Sequence, residues 1–108
     1  MPGGDSFQPS RSILDVSVAR EGVAQRIIAA GELDMATAQL VEKRVHSVSA
    51  GHVVLDLRDV TFIDSGGLRI VIEAHETLGD RLTIMPSECC IRLFEIIAMV
   101  DRLPLVHE

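Results

Sequence analysis

The chain is predicted to be an α/β domain built on a mixed, largely parallel β-sheet with an N-terminal antiparallel hairpin and helices packed on it. Three observations predict this. Two alternating apolar segments near the N-terminus are joined by a short polar turn. After them, strand-like and helix-like patterns alternate, which implies parallel strands joined by right-handed crossovers. The run Val53 to Leu57 is continuously apolar apart from Asp56, as expected of a strand buried on both faces.

In chain order, Ile13 to Ala19 alternates, with Leu14, Val16 and Val18 on one face and Asp15 and Ser17 on the other. Arg20-Glu21-Gly22 supplies a turn, and Gln25 to Ala30 forms the partner strand. Gly31-Glu32-Leu33-Asp34 is expected to break that strand. Asp34 is expected to cap a first helix from about Met35 to Val48. At 100° per residue, Thr37, Leu40, Val41, Val45 and Val48 share its inner side. The strand Val53–Leu57, an Asp59–Ser65 connection and a second helix from about Gly66 to Leu78 follow. Gly79-Asp80 stops that helix, Arg81 to Met85 is a further strand, and Ser87 is expected to cap a third helix ending near Val100. Leu103 to Val106 could add an edge strand, where Pro104 is tolerated. Residues 1–11, rich in Pro, Gly and Ser, are expected to be a disordered tail, with one domain over residues 12–108.

Composition excludes several functions. At 108 residues and 47% hydrophobic content the chain can build a core without metal or disulfide support. Aromatic content of 3% and a formal charge of −6 argue against a nucleic-acid surface, which needs stacking platforms and a basic stripe. No apolar run approaches a membrane span, and the N-terminus lacks the pattern of a secretory signal, so a cytoplasmic location is expected. Cys89 and Cys90 are adjacent and are expected to pack as reduced small hydrophobes.

The most informative residue is Ser65, delivered by a strand to the start of a helix between Asp64 and the pair Gly66-Gly67. A serine there is positioned to cap the helix and could also carry a phosphate. A nucleophile elbow is absent, because Ile63 stands where glycine would be required. No histidine motif aims at Ser65, and His75 is expected to be a packed residue of the second helix. The glycine pair lacks the spacing and the lysine of a P-loop. Asp34, Asp56, Asp59 and Asp64 could gather at one sheet edge like a magnesium site, but caps and loop-solvating carboxylates explain them better. No enzyme activity, cofactor or metal is therefore expected. In the second helix, Leu68, Val71, Ile72, His75 and Leu78 form the expected core face, while Ile70 lies nearly opposite and is expected to be exposed as a partner contact.

Two segments carry a family resemblance. They are Gly31-Glu32-Leu33-Asp34 followed by Thr37-Ala38, and Leu55-Asp56-Leu57 through Phe62-Ile63-Asp64-Ser65-Gly66-Gly67-Leu68. At this separation they resemble the STAS domain family, in particular its stand-alone bacterial anti-sigma-factor antagonists. The resemblance implies a protein that binds an anti-sigma factor with serine kinase activity, releases a sigma factor, and is switched off by phosphorylation of Ser65. A serine phosphatase would restore the binding form. Partner contacts are expected at Asp34, Asp64, Gly66, Gly67, Leu68 and Ile70. The family often carries Ser or Thr directly after the acceptor, where this chain has Gly66. The alternative is a STAS scaffold subunit of an ABC-type lipid-transport complex without a phosphorylation switch.

Overall fold

A computed structural model describes residues 13–48 and 51–106. The element order is β1 (Leu14–Glu21), β2 (Ala24–Leu33), α1 (Ala38–His46), β3 (Val53–Ile63), α2 (Ser65–Leu78), a 3-10 turn (Gly79–Arg81), β4 (Leu82–Met85) and α3 (Glu88–Ile96). One sheet runs in the order β1-β2-β3-β4. β1 and β2 are antiparallel, with Leu14 opposite Gly31 and Glu21 opposite Ala24. β2–β3 and β3–β4 are parallel, with Ile27 opposite Leu55, Leu33 opposite Ile63, and Leu55 opposite Ile84. The predicted mixed sheet and its β-β-α-β-α-β-α order are therefore present. The expected tail at residues 1–11 lies outside the described residues.

The core forms where strand alternation and helix periodicity meet. Ile27, Ala29 and Leu33 of β2 and Val53, Leu55 and Leu57 of β3 are fully buried. Val41 and Val45 of α1, Val71 and Ala74 of α2, and Cys90 and Phe94 of α3 close over the same cluster. Each large apolar side chain buried this way contributes about 1.5–3 kcal/mol. Burial raises the Cys90 thiol above its ordinary pKa, so it packs as a protonated, apolar group.

Several expected boundaries move. β2 continues through Gly31-Glu32-Leu33, because these residues pair with β3 across two register shifts. β3 likewise runs on to Ile63, so the expected Asp59–Ser65 connection is mostly strand. α1 starts at Ala38, because residues 34–37 form a turn instead of the first helical turn. Leu40 is 39% exposed and leaves the expected inner face, where Ala38 is buried in its place. α3 ends at Ile96, short of Val100. The expected C-terminal edge strand is reduced to one bridge, Leu105 to Ile84, supported by the Val106 amide donating to the Ile84 carbonyl at 2.7 Å.

Asp56 interrupts the apolar run of β3, and its partners explain how. Its carboxylate accepts from Arg26 Nη1 of β2 at 3.0 Å and from Arg58 Nη2 at 2.8 Å and Nε at 3.0 Å. Arg26 also reaches Glu21 of β1 at 3.1 Å, so three strands share one ionic row. The hydrogen bonds from Arg58, together with that from Arg26, hold the Asp56 carboxyl below the usual carboxylate range against the opposing effect of burial.

Candidate functional site

The site is the corner where β3 hands the chain to α2. The Asp64 amide donates to the Leu33 carbonyl at 3.3 Å, which ties this corner to the end of β2. Asp64 keeps an extended backbone, and its Oδ1 accepts from the amides of Gly66 at 2.8 Å and Gly67 at 3.1 Å. It is thus the cap of α2, satisfying two amides that a helix start otherwise leaves unpaired. Ser65 is the first residue of α2 and is exposed. The capping task that the sequence allowed for Ser65 therefore falls to Asp64, and the serine hydroxyl faces outward.

The turn between β2 and α1 covers this corner. Asp34 Oδ1 accepts from the amides of Ala36 and Thr37, both at 3.0 Å. Thr37 is buried, and its hydroxyl donates to the Glu32 carbonyl at 2.7 Å. Asp34 therefore shapes the turn, and α1 begins one turn later than expected. The same turn brings the Met35 amide to 3.4 Å from Asp64 Oδ2. One carboxylate thus serves both α2 and the preceding loop.

The glycine pair makes this closeness possible. A Cβ on residue 66 would lie 2.5 Å from Met35 Cα, and one on residue 67 would lie 2.3 Å from the Leu33 carbonyl oxygen. Both glycines are buried beneath their own chain, so they act through backbone approach. Leu68 is half-buried and packs against the core cluster.

Ile70 corrects an expectation. It is 2% exposed and belongs to the core. α2 packs against both α1 and the strands, so it has apolar contacts on two sides, and a residue opposite the main stripe is still covered. Two exposed apolar residues near the corner were not singled out from the sequence: Met35, 74% exposed, and Phe62, 49% exposed. Met35 follows the turn-forming Asp34, and Phe62 stands two residues before the cap, so proximity to the motifs was the available signal.

His75 is half-buried on α2, with Nδ1 lacking a hydrogen-bond partner. The four aspartates do not assemble: Asp56 is committed to Arg26 and Arg58, and Asp64 to backbone amides. Among the described residues no three His, Cys, Asp or Glu side chains are placed to hold a metal. No described helix is long and apolar enough to cross a membrane.

A mixed sheet of this order with three helices packed on it is the architecture of a STAS-type domain. The chain belongs to the STAS domain family: the family described as "Mlab, STAS domain" matches residues 16–101. It is 35% identical over 82 residues to the anti-sigma-B factor antagonist of Listeria monocytogenes, covering 69% of this chain and 72% of the relative. The protein of the same name from Listeria innocua matches equally. Among solved structures, an anti-sigma factor antagonist from Mycobacterium paratuberculosis superposes with a TM-score of 0.78 at 25% identity, over 86% of this chain and 85% of that one. The anti-sigma factor antagonist SpoIIAA in its unphosphorylated form superposes with a TM-score of 0.66, covering 87% of this chain and 88% of that one. At 14% identity, that likeness concerns the fold alone.

Proposed function

We propose that this protein is an anti-sigma factor antagonist, a binding protein without catalysis of its own, whose docking face surrounds Ser65. The observation that carries this reading is the exposed Ser65 at a corner where the amides of Met35, Gly66 and Gly67 are already engaged by Asp64. Identity to the Listeria antagonists supports the partner class, an anti-sigma factor. In the finer form of the proposal, that factor is also a serine kinase, Ser65 is its acceptor, and a serine phosphatase reverses the mark. Asp34, Asp64 and Leu68 then belong to the recognised edge, with Gly66 and Gly67 setting its shape.

The geometry supports a switch by local charge. A phosphate on Ser65 adds about −1.5 to −2 charges at pH 7. The amides of Gly66 and Gly67 are already taken by Asp64, so these two donors are not free to cradle the new anion. The phosphate therefore projects outward beside the Asp64 carboxylate. A partner closing over it must desolvate or oppose that charge, at a cost on the order of 2–5 kcal/mol. At about 1.4 kcal/mol per tenfold in affinity, this is enough to release a partner. Refolding is not required.

Intact-mass measurement of the protein recovered from its own cells tests the proposal. A fraction heavier by one phosphate, mapped to Ser65 and absent from Ser65→Ala, is the expected result. If the protein is unmodified under every growth condition and co-purifies stoichiometrically with transporter subunits, the scaffold alternative holds instead.

A further inference from the structure

We propose that the open edge of β1, with the groove between it and α1, is a second docking site that takes an extended acidic segment of a protein partner as an added strand. The site does not depend on Ser65. β1 is the outer strand of the sheet, and among the described residues it pairs with β2 alone. Such an edge offers a row of backbone donors and acceptors to another chain.

Beside that edge lies a groove of about 550 Å³, floored by Leu14, Val16 and Leu40 and walled by Lys43 and Arg44, with Asp15 of β1 also in its lining. Its volume falls within the range of sites that bind ligands, roughly 300–1,000 Å³. The groove flanks another side of α1 from the one that meets α2, because Val45 and His46, with Ile70 and Ala74 of α2, line the small gap between the two helices while Leu40, Lys43 and Arg44 line the groove. Leu40 is 39% exposed there, whereas its neighbour Val41 is fully buried. Lys43 and Arg44 are exposed and take no part in the described ion pairs.

Charge selects the occupant. The chain carries a net charge of −6, yet this groove presents two adjacent cations above an apolar floor, against the single carboxylate of Asp15. An incoming strand that alternates acidic and apolar side chains on its inner face meets both. A second copy of this chain fits poorly. Strand alternation places Arg20 on the same face as Leu14 and Val16, so antiparallel pairing of β1 with its copy in near-complete overlap brings the copy's Arg20 toward Leu14, beside Lys43 and Arg44.

The test uses the full chain, isotope-labelled for NMR, and a blocked strand-forming peptide of Val, Thr and Glu. Its counterpart with Lys in place of Glu is the control. The expected result is saturable shifts of the β1 amides and of Lys43 and Arg44. Binding weakens at least tenfold in the double variant Lys43→Glu, Arg44→Glu, is retained in Lys43→Arg, Arg44→Lys, and is absent with the Lys peptide. The proposal is overturned by the absence of saturable shifts, by equal binding of the Lys peptide, or by undiminished binding to the Glu variant. It is also overturned if, without peptide, the β1 amides shift with protein concentration, or residues 1–11 show contacts to Leu14 and Leu40. Those outcomes would make the occupant a second copy or this chain's own N-terminus.

Discussion

Met35 occupies the space that a side chain on residue 66 would need: its Cα, N and Cβ all lie within 3 Å of the Cβ position at Gly66. The loop after β2 and the start of α2 are therefore fitted to each other through a missing side chain. Gly66→Ser must push the Met35 backbone away. Overpacking of this kind costs about 1–3 kcal/mol. Urea unfolding should show a lower midpoint with an unchanged slope, and Gly67→Ala, which meets the Leu33 carbonyl, should behave likewise.

Asp64→Ala removes the acceptor of the Gly66 and Gly67 amides together with that of Met35. Loss of an N-cap costs about 0.5–2 kcal/mol. For a domain of this size each kcal/mol lowers the melting temperature by roughly 4–8 °C. Asp64→Asn keeps an acceptor and should recover most of the loss in a thermal melt.

Ile70→Ala should destabilise by about 2–5 kcal/mol, as removal of a core side chain does. Calorimetric unfolding measures it. An exposed partner contact would leave stability unchanged, so a near-zero effect would return Ile70 to the surface.

The carboxyl of Asp56 titrates below its unfolded value because Arg58, then Arg26, favour the charged form. A depressed pKa contributes stability that is present above the unfolded pKa of about 3.9 and is lost as pH falls through the folded value. Asp56→Asn should weaken the fold at pH 7 by about 1.5–3 kcal/mol through loss of charge-assisted bonds. It should also flatten the decline of stability in the acid range, which denaturation at stepped pH will show.

Ser65→Ala and Ser65→Asp should melt within about 2–4 °C of the unchanged protein, since Ser65 is exposed and does not itself cap the helix, and a surface substitution moves stability by roughly 0.5 kcal/mol. Under the proposed function, titration calorimetry against the anti-sigma factor should show Ser65→Asp at least tenfold weaker and Ser65→Ala close to wild type. Equal binding by both would remove the charge switch.

Much of the fold was legible because its signals are local. The hairpin shows as alternation around Gly22, and α2 shows as a periodic run after Asp64-Ser65. The STAS resemblance, which the family match bears out, rests on short motifs of the same kind. What was not legible depends on tertiary pairing. Gly31 to Leu33 and Asp59 to Ile63 become strand only because each supplies the other's hydrogen bonds across shifted register. Ile70 was misplaced because a helical stripe predicts one buried face, and α2 is covered on two. The division of labour at the corner, Asp64 capping and Ser65 exposed, needed the positions of the amides themselves.

The ionic row through Glu21, Arg26, Asp56 and Arg58 has a consequence for how this sheet can diverge. Asp56 is the anion that Arg26 and Arg58 share, so neutralising it alone removes the bridge between two guanidinium groups on neighbouring strands. A greasy substitute at position 56 becomes tolerable only after both arginines have changed. Descendants of this sequence should accordingly keep Arg26, Asp56 and Arg58 intact or lose them together, and single-step intermediates should be the rare ones.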